Sequence, residues 1–176
     1  MSAFRMRPVT PASRMGLKGP DAATLLQQAG IAVPSAANRM LLCPTSPGST
    51  DSLRVLRLGN TEFVLEQDEG AGAIANVRAL SRSAGLRAWP VVRADFSLLM
   101  GGDALHEQLS RICDFDFAQL AAQPDLAVMT LLADISVTFA LDGPQLRLWA
   151  DPGFATYLTQ TLQALSPDAP SHGVHT

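Results

Sequence analysis

A chain of 176 residues that is 47% hydrophobic can bury one sizeable core, which excludes wholesale disorder. Its net charge of −3 gives no electrostatic case for nucleic acid, and no apolar run approaches the ~20 residues that span a bilayer. The two cysteines, Cys43 and Cys113, stand alone where a metal site needs about three or four clustered ligands.

In chain order, residues 1–14 (MSAFRMRPVTPASR) hold three arginines and no acid. Pro8 and Pro11 interrupt any amphipathic helix and no apolar h-region exists, so neither a transit nor a signal peptide is read. The segment is expected as a flexible tail on a cytoplasmic protein. Met15–Lys18 reads as a short strand, and Gly19-Pro20-Asp21 opens a helix with Ala22, Leu25, Leu26 and Ala29 inward and Gly30 at its end. Ile31–Leu42 is extended with two breaks, and Pro44–Ser52 is a Pro/Ser/Thr-rich loop. Leu53–Leu58 and Thr61–Glu66 form a hairpin about Gly59-Asn60, where glycine first suits a type II′ turn. A helix then runs near Gly72–Ser83 with Ile74, Val77 and Leu80 inward and Arg78 and Arg82 outward. Trp89–Val92 follows as a strand, at an edge or a strand start because of Pro90.

The second half reads in the same order. Phe96–Met100 is a strand and Gly101-Gly102 a tight turn. Asp103 stands at the N-cap of a helix over 103–113 whose apolar face is Leu105, Leu109, Ile112 and Cys113. A loop covers 114–126, and Val128–Leu141 is a strand in which Ile135, Val137, Phe139 and Leu141 alternate with small residues. Asp142-Gly143 suits a type I′ turn into Gln145–Ala150. Asp151-Pro152 starts a last helix with Phe154, Tyr157, Leu158, Thr161, Leu162 and Leu165 on one face, and 166–176 is a second flexible tail. Leu17–Ala22 aligns with Leu99–Ala104 at a shift of 82, and Leu58–Leu65 with Leu141–Leu148 at a shift of 83. The expectation is an α+β fold in which residues 15–165 form one domain of two tandem ferredoxin-like β-α-β-β-α repeats, about 15–92 and 96–165.

No constellation for catalysis is legible. Asp95, Asp114, Asp116 and Asp134 are the central acids, but Asp114 and Asp116 follow a helix, where solvated carboxylates are the norm. His106 lies beside a core face, and His172 and His175 lie in the C-terminal tail. Ser97 has no evident base. Gly101-Gly102 and Pro47–Thr50 lack the glycines and lysine of a phosphate loop. Trp89, Trp149 and Tyr157 could stack a planar ligand, although aromatic residues at such positions are more often core.

Four stretches, Leu17–Gly30 (LKGPDAATLLQQAG), Val55–Gln67 (VLRLGNTEFVLEQ), Met100–Phe117 (MGGDALHEQLSRICDFDF) and Leu146–Leu165 (LRLWADPGFATYLTQTLQAL), together resemble the gamma subunit of heterotetrameric sarcosine oxidase. The resemblance implies a fold akin to the folate-binding domain of the glycine-cleavage aminomethyltransferase. That larger family often carries an Asp-aliphatic-Ser-His element; here Asp95 and Ser97 are kept and Leu98 replaces the histidine, so no catalytic role is carried onto Asp95.

On this resemblance the chain has no catalytic, cofactor-binding or metal-ligating residue of its own. It is a small subunit of a bacterial complex that oxidatively demethylates sarcosine or a related N-methyl amine. FAD, FMN, NAD and tetrahydrofolate are expected on partner alpha and beta flavoprotein subunits, and neither nucleic acid nor membrane is a partner. The alternatives are a folate-binding one-carbon-transfer module and a folate-dependent assembly factor. The latter would carry a KGCYxGQE-like motif, in which neither Cys43 nor Cys113 sits.

Overall fold

A computed structural model of the protein describes residues 4–45 and 52–165. Pro47–Thr50, the tail 166–176 and its histidines therefore lie outside the described residues. Among the described residues, ten strands build two antiparallel five-stranded sheets. The first sheet has the order β3 (Arg39–Pro44), β4 (Ser52–Arg57), β5 (Glu62–Gln67), β2 (Ser13–Lys18), β6 (Trp89–Val91). The second has the order β8 (Ala127–Leu132), β9 (Ile135–Asp142), β10 (Gln145–Ala150), β7 (Phe96–Gly101), β1 (Arg5–Pro8).

The helices cover the outer faces. Helices α1 (Ala22–Gln28) and α2 (Gly72–Ser83) place Leu25, Leu26, Ile74 and Val77 against Met15, Leu17, Val55, Phe63 and Leu65 of the first sheet. On the second sheet, α3 (Leu105–Leu109), α4 (Ala118–Ala122) and α5 (Ala155–Ala164) place Leu105, Leu109, Leu120, Leu158 and Leu162 against Leu98, Met100, Phe139, Leu146 and Leu148. Between the sheets, Met40, Leu56 and Val64 of one meet Ala127, Ala140 and Trp149 of the other. The α2 boundaries and the inward faces of α1 and α2 are as read from their helical spacing, but the expected helix 103–113 is only Leu105–Leu109: Leu105 and Leu109 are buried, while Ile112 and Cys113 lie beyond its end and still pack on the second core.

Read in parallel, the two sheets share one strand order, β3-β4-β5-β2-β6 and β8-β9-β10-β7-β1, although β6 follows the other four strands of its sheet in the chain whereas β1 precedes the other four of its own. Each unit holds one strand more than the expected β-α-β-β-α, because three strands follow the first helix region in both halves. The register also corrects the shift of 82. Leu17 pairs with Phe63 as Met100 pairs with Leu146, a shift of 83 (Leu17 to Met100, Phe63 to Leu146). The left-handed glycines agree: Gly19 at φ 134° corresponds to Gly102 at φ 122°, not to Gly101. Neither aspartate stands as the expected capping residue. Asp21 stands at the start of α1 but its carboxylate accepts from the Arg87 amide at 2.9 Å, and Asp103 lies one residue before Ala104, which occupies the N-cap of α3.

Other expectations shift for local reasons. Part of the segment before residue 15 is no tail: β1 pairs with β7 and Phe4 is buried in the second core. The Gly59-Asn60 connection spans 58–61 and Gly59 takes no positive φ, so a two-residue type II′ turn is not formed there. Pro144 cannot take a positive φ, so the β9–β10 turn centred on Gly143 (φ 63°) and Pro144 is not type I′. A two-residue turn with both φ values positive sits instead at Ala133 (φ 49°) and Asp134 (φ 63°), dividing the expected strand 128–141 into β8 and β9. The turn is held from outside: the Ala133 N–H donates to Ile112 O at 2.8 Å, and Tyr157 Oη donates to Ala133 O at 3.3 Å. Alanine is strained there, so Ala133→Gly is expected to stabilise the chain by roughly 0.5–1 kcal/mol net of the extra unfolded-state entropy of glycine. A rise in melting temperature of about 1–4 °C checks it.

At one corner the sheets join edge to edge. Arg39 and Leu126 form an antiparallel bridge, with the Met40 N–H donating to Asp125 O at 2.7 Å and the Ala127 N–H to Asn38 O at 2.9 Å. The bridge relates equivalent positions of the two units, since Met40 pairs with Leu56 as Ala127 pairs with Ala140.

Candidate functional site

Away from that corner, the layer between the sheets is ionic. Alternation along each strand sends every second side chain to this layer, and there the sequence supplies Arg14 on β2, Arg54 on β4, Glu66 on β5, Asp142 on β9 and Arg147 on β10. Glu66, fully buried, is the hub. Its Oε2 accepts from Arg14 Nε at 2.7 Å and from Trp149 Nε1 at 2.9 Å, and its Oε1 is ion-paired with Arg147 Nη2. Arg147, also fully buried, forks onto Asp68 at 3.0 and 2.9 Å and reaches Asp142 at 3.3 Å. Arg54 Nη2 lies 2.8 Å from Asp68 and 2.7 Å from Asp142. Arg14 also donates to Ser97 Oγ at 2.6 Å and to the Asp95 carbonyl.

Arg14, Arg54 and Arg147 thus face Glu66, Asp68 and Asp142, and the charges cancel. The bonds Arg147–Glu66, Trp149–Glu66, Arg54–Asp142 and Arg14–Ser97 run between strands of opposite sheets, so the cluster acts as a clamp across the sheet interface. A buried charge left unpaired would be costly, and each of the six here faces at least one of opposite sign.

Titration follows the geometry. Burial pushes the Asp68 carboxyl up, but the hydrogen bond from Arg147 and the charge of Arg54 outweigh it, and the group lies below the usual carboxylate range. Burial likewise lowers Arg147, and Asp68, Glu66 and Asp142 outweigh that to hold it above its ordinary value. On the surface, the hydrogen bonds from Arg87 lower the Asp21 carboxyl. A carboxyl whose folded pKa is depressed contributes stability that is present above its unfolded value, near 4, and lost as pH falls through the folded value. Stability is therefore expected to hold from about pH 5 to 8 and to fall below about pH 4. Asp68→Asn should reduce the acid-induced part of that fall, measured as the urea midpoint at neutral and acid pH.

The structure disperses the residues singled out from sequence. Asp114 and Asp116 are exposed, and Asp116 Oδ1 accepts the Ala118 amide at 3.0 Å at the start of α4, inside the expected loop 114–126. Their neighbours Phe115 and Phe117 turn inward, where Phe117 stacks between exposed His106 and buried Phe139 at 5.5 and 5.3 Å. Asp134 is in the turn just described. Asp95 forms a fork with Arg93 at 2.9 and 2.7 Å. Ser97 is buried and receives the Arg14 guanidinium, and Leu98 is a core residue of the second sheet. Gly101 ends β7 and Gly102 makes its left-handed exit. Trp149 is buried against Glu66, whereas Trp89 and Tyr157 are 57% and 48% exposed on separate elements. Cys113 is buried, and burial raises the Cys43 thiol. Among the described residues, no three His, Cys, Asp or Glu side chains are grouped to hold a metal, and no helix is long and apolar enough to cross a membrane.

A folate-type ligand would require a carboxylate free to meet its ring nitrogens and space beside it. The carboxylates of the inter-sheet layer are each held by guanidinium groups, so these residues do not fit such a ligand. An open groove of about 430 Å³ lies elsewhere, between the start of β2 and α2, bordered by Ser13, Ile74, Arg78 and Arg82.

No protein-family model and no curated protein matches the sequence. The fold does have matches among solved structures. A chain of the heterotetrameric sarcosine oxidase from Corynebacterium sp. U-96, in complex with pyrrole 2-carboxylate, superposes with a TM-score of 0.76 at 20% identity, covering 93% of this chain and 84% of that one. The fold is that of a sarcosine oxidase chain. The glycine cleavage system aminomethyltransferase T from Bartonella henselae matches with a TM-score of 0.68 at 15% identity over 92% of this chain. The sarcosine oxidase match thus takes in nearly the whole length of both chains, whereas this chain spans only 45% of the aminomethyltransferase. The two-sheet α+β architecture is the aminomethyltransferase-like one that the sequence resemblance implied.

Proposed function

We propose that this chain is a non-catalytic small subunit, of the gamma type, in a sarcosine-oxidase-like complex that oxidatively demethylates sarcosine or a related N-methyl amine. The observation that carries the reading is the near end-to-end match to one chain of a heterotetramer, in a molecule whose own polar centre is used up as a clamp between sheets. On this reading the chain packs against alpha and beta flavoprotein subunits, which hold FAD, FMN, NAD and tetrahydrofolate, and the complex works in the bacterial cytoplasm.

The likeness to aminomethyltransferase T favours a second reading, a folate-binding one-carbon-transfer module. It has against it the carboxylates already held by arginine. Co-expression with sarcosine-oxidase-type alpha and beta subunits separates the two. The isolated chain should be colourless, release no formaldehyde from sarcosine and show no tetrahydrofolate binding by calorimetry, while the co-expressed chain elutes with the flavoproteins. A yellow, active preparation of the isolated chain overturns the subunit reading, and folate binding by the isolated chain favours the second.

A further inference from the structure

We propose that the outer edge of β8 is a docking site for an extended segment of a partner subunit, which adds to the second sheet as a sixth strand. The proposal rests on the subunit reading above. An open sheet edge presents unpaired amides and carbonyls, and proteins blunt such edges with charge, proline or shortness. Of the four edges here, β1 carries Arg5, Arg7 and Pro8, β3 carries Arg39 and Pro44, and β6 has three residues with Pro90 at its centre. The fourth, β8, is Ala-Val-Met-Thr-Leu-Leu over Ala127–Leu132, with no charge and no proline.

The shared strand order of the two sheets supplies an internal control. Equivalence of Met40 with Ala127 makes Leu42 the counterpart of Met129 and Pro44 the counterpart of Leu131. One unit thus has proline, which has no N–H to offer, where the other keeps leucine. The Ala127 N–H points away from β9, to Asn38 O. Alternation then directs the amides and carbonyls of Met129 and Leu131 the same way, and among the described residues no hydrogen bond takes them up. Their side chains share the inter-sheet face with Ala127 but lie beyond the cover of the first sheet, 52% and 57% exposed.

The occupant this chemistry recognises is a neutral extended segment whose backbone pairs with 129 and 131 and whose alternate apolar side chains cover Met129 and Leu131. A second copy meeting edge to edge over residues 128–132 would bury far less than the ~1,200–2,000 Å² of a stable interface. A segment of a subunit held by further contacts needs no such area.

The test uses the full chain co-expressed with sarcosine-oxidase-type alpha and beta subunits. Leu131→Pro copies the blunted edge of β3, and Met129→Lys with Leu131→Lys places charge on it; neither removes an amide that bonds to β9. Both variants are expected to melt within about 2 °C of wild type and to lose about tenfold or more in affinity for the partner subunits. In the wild-type complex, hydrogen exchange at the Met129 and Leu131 amides should slow by about tenfold or more, a readout that needs no variant to fold. Wild-type affinity in a folded lysine variant, or unchanged exchange in the complex, overturns the docking edge and leaves the subunit reading standing. A wild-type chain that assembles with neither subunit overturns both. Self-association abolished by the lysines assigns the edge to a second copy and overturns the proposal.

Discussion

Glu66→Ala is expected to destabilise the isolated chain by about 3–5 kcal/mol, the range for removing one partner of a buried ion pair. The change deletes no large apolar volume. It leaves the Arg14 and Arg147 guanidinium groups, 8% and 0% exposed, and the Trp149 indole N–H without the carboxylate that now receives all three. Against a total stability on the order of 5–15 kcal/mol this is a large fraction, and the melting temperature should fall by roughly 6–20 °C. A double-mutant cycle with Arg147→Met isolates the pair: the second substitution should cost much less once Glu66 is gone. A Glu66→Ala variant as stable as wild type would show that the clamp contributes nothing to holding the sheets together.

Leu109→Ala should cost about 2–5 kcal/mol through loss of buried methyl groups and the cavity left behind. Leu109 is 1% exposed and packs in the cluster of Leu105, Leu120 and Phe139. The five residues of α3 are too few to be helical on their own, so the element stands on this packing. Exposed Glu107→Ala on the same helix should stay within about 0.5 kcal/mol, which separates packing from helix propensity. Equal effects of the two changes on the urea midpoint would mean the inward face has been misassigned.

Both expectations draw on features of different legibility. The inward face of α3 was readable because Leu105 and Leu109 recur at the helical spacing; Cys113 continues that spacing but lies beyond the end of the helix. The strands β5 and β10 were readable as the return arms of hairpins after Gly59-Asn60 and Asp142-Gly143. What was not readable lacked a local signal. Four residues of β1, with two arginines and a proline, look like a tail until β7 exists for them to pair with. Helix α4 is five residues following two acid–aromatic pairs, and it is held by the capping carboxylate of Asp116 and the burial of Leu120. The Ala133-Asp134 turn breaks the usual preference for glycine or asparagine at positive φ, and no pattern announced it.

The candidate site shows the same division. A sequence-level signal did exist: Arg54 sits between Leu53 and Val55, and Arg147 between Leu146 and Leu148, so alternation alone places a charge on the second face of each strand. That signal told of charges facing a sheet surface that must be answered. It could not say by what, because the answers come from Glu66, Asp68 and Asp142, and register within one sheet carries no information about which face of another sheet will lie opposite.

By itself, then, the sequence determined the α+β class, the inward faces of α1 and α2 and the presence of charge inside apolar strands. Each of these follows from periodicities of two or 3.6 residues that act over a few neighbours. Only the tertiary structure decided that the two sheets stack face to face, that the N-terminal segment completes the second one, and that three arginines and three carboxylates cancel between them. Those outcomes depend on contacts between residues as far apart as Arg14 and Ser97, or Glu66 and Trp149. Such contacts form only once both sheets exist to bring them within hydrogen-bonding reach.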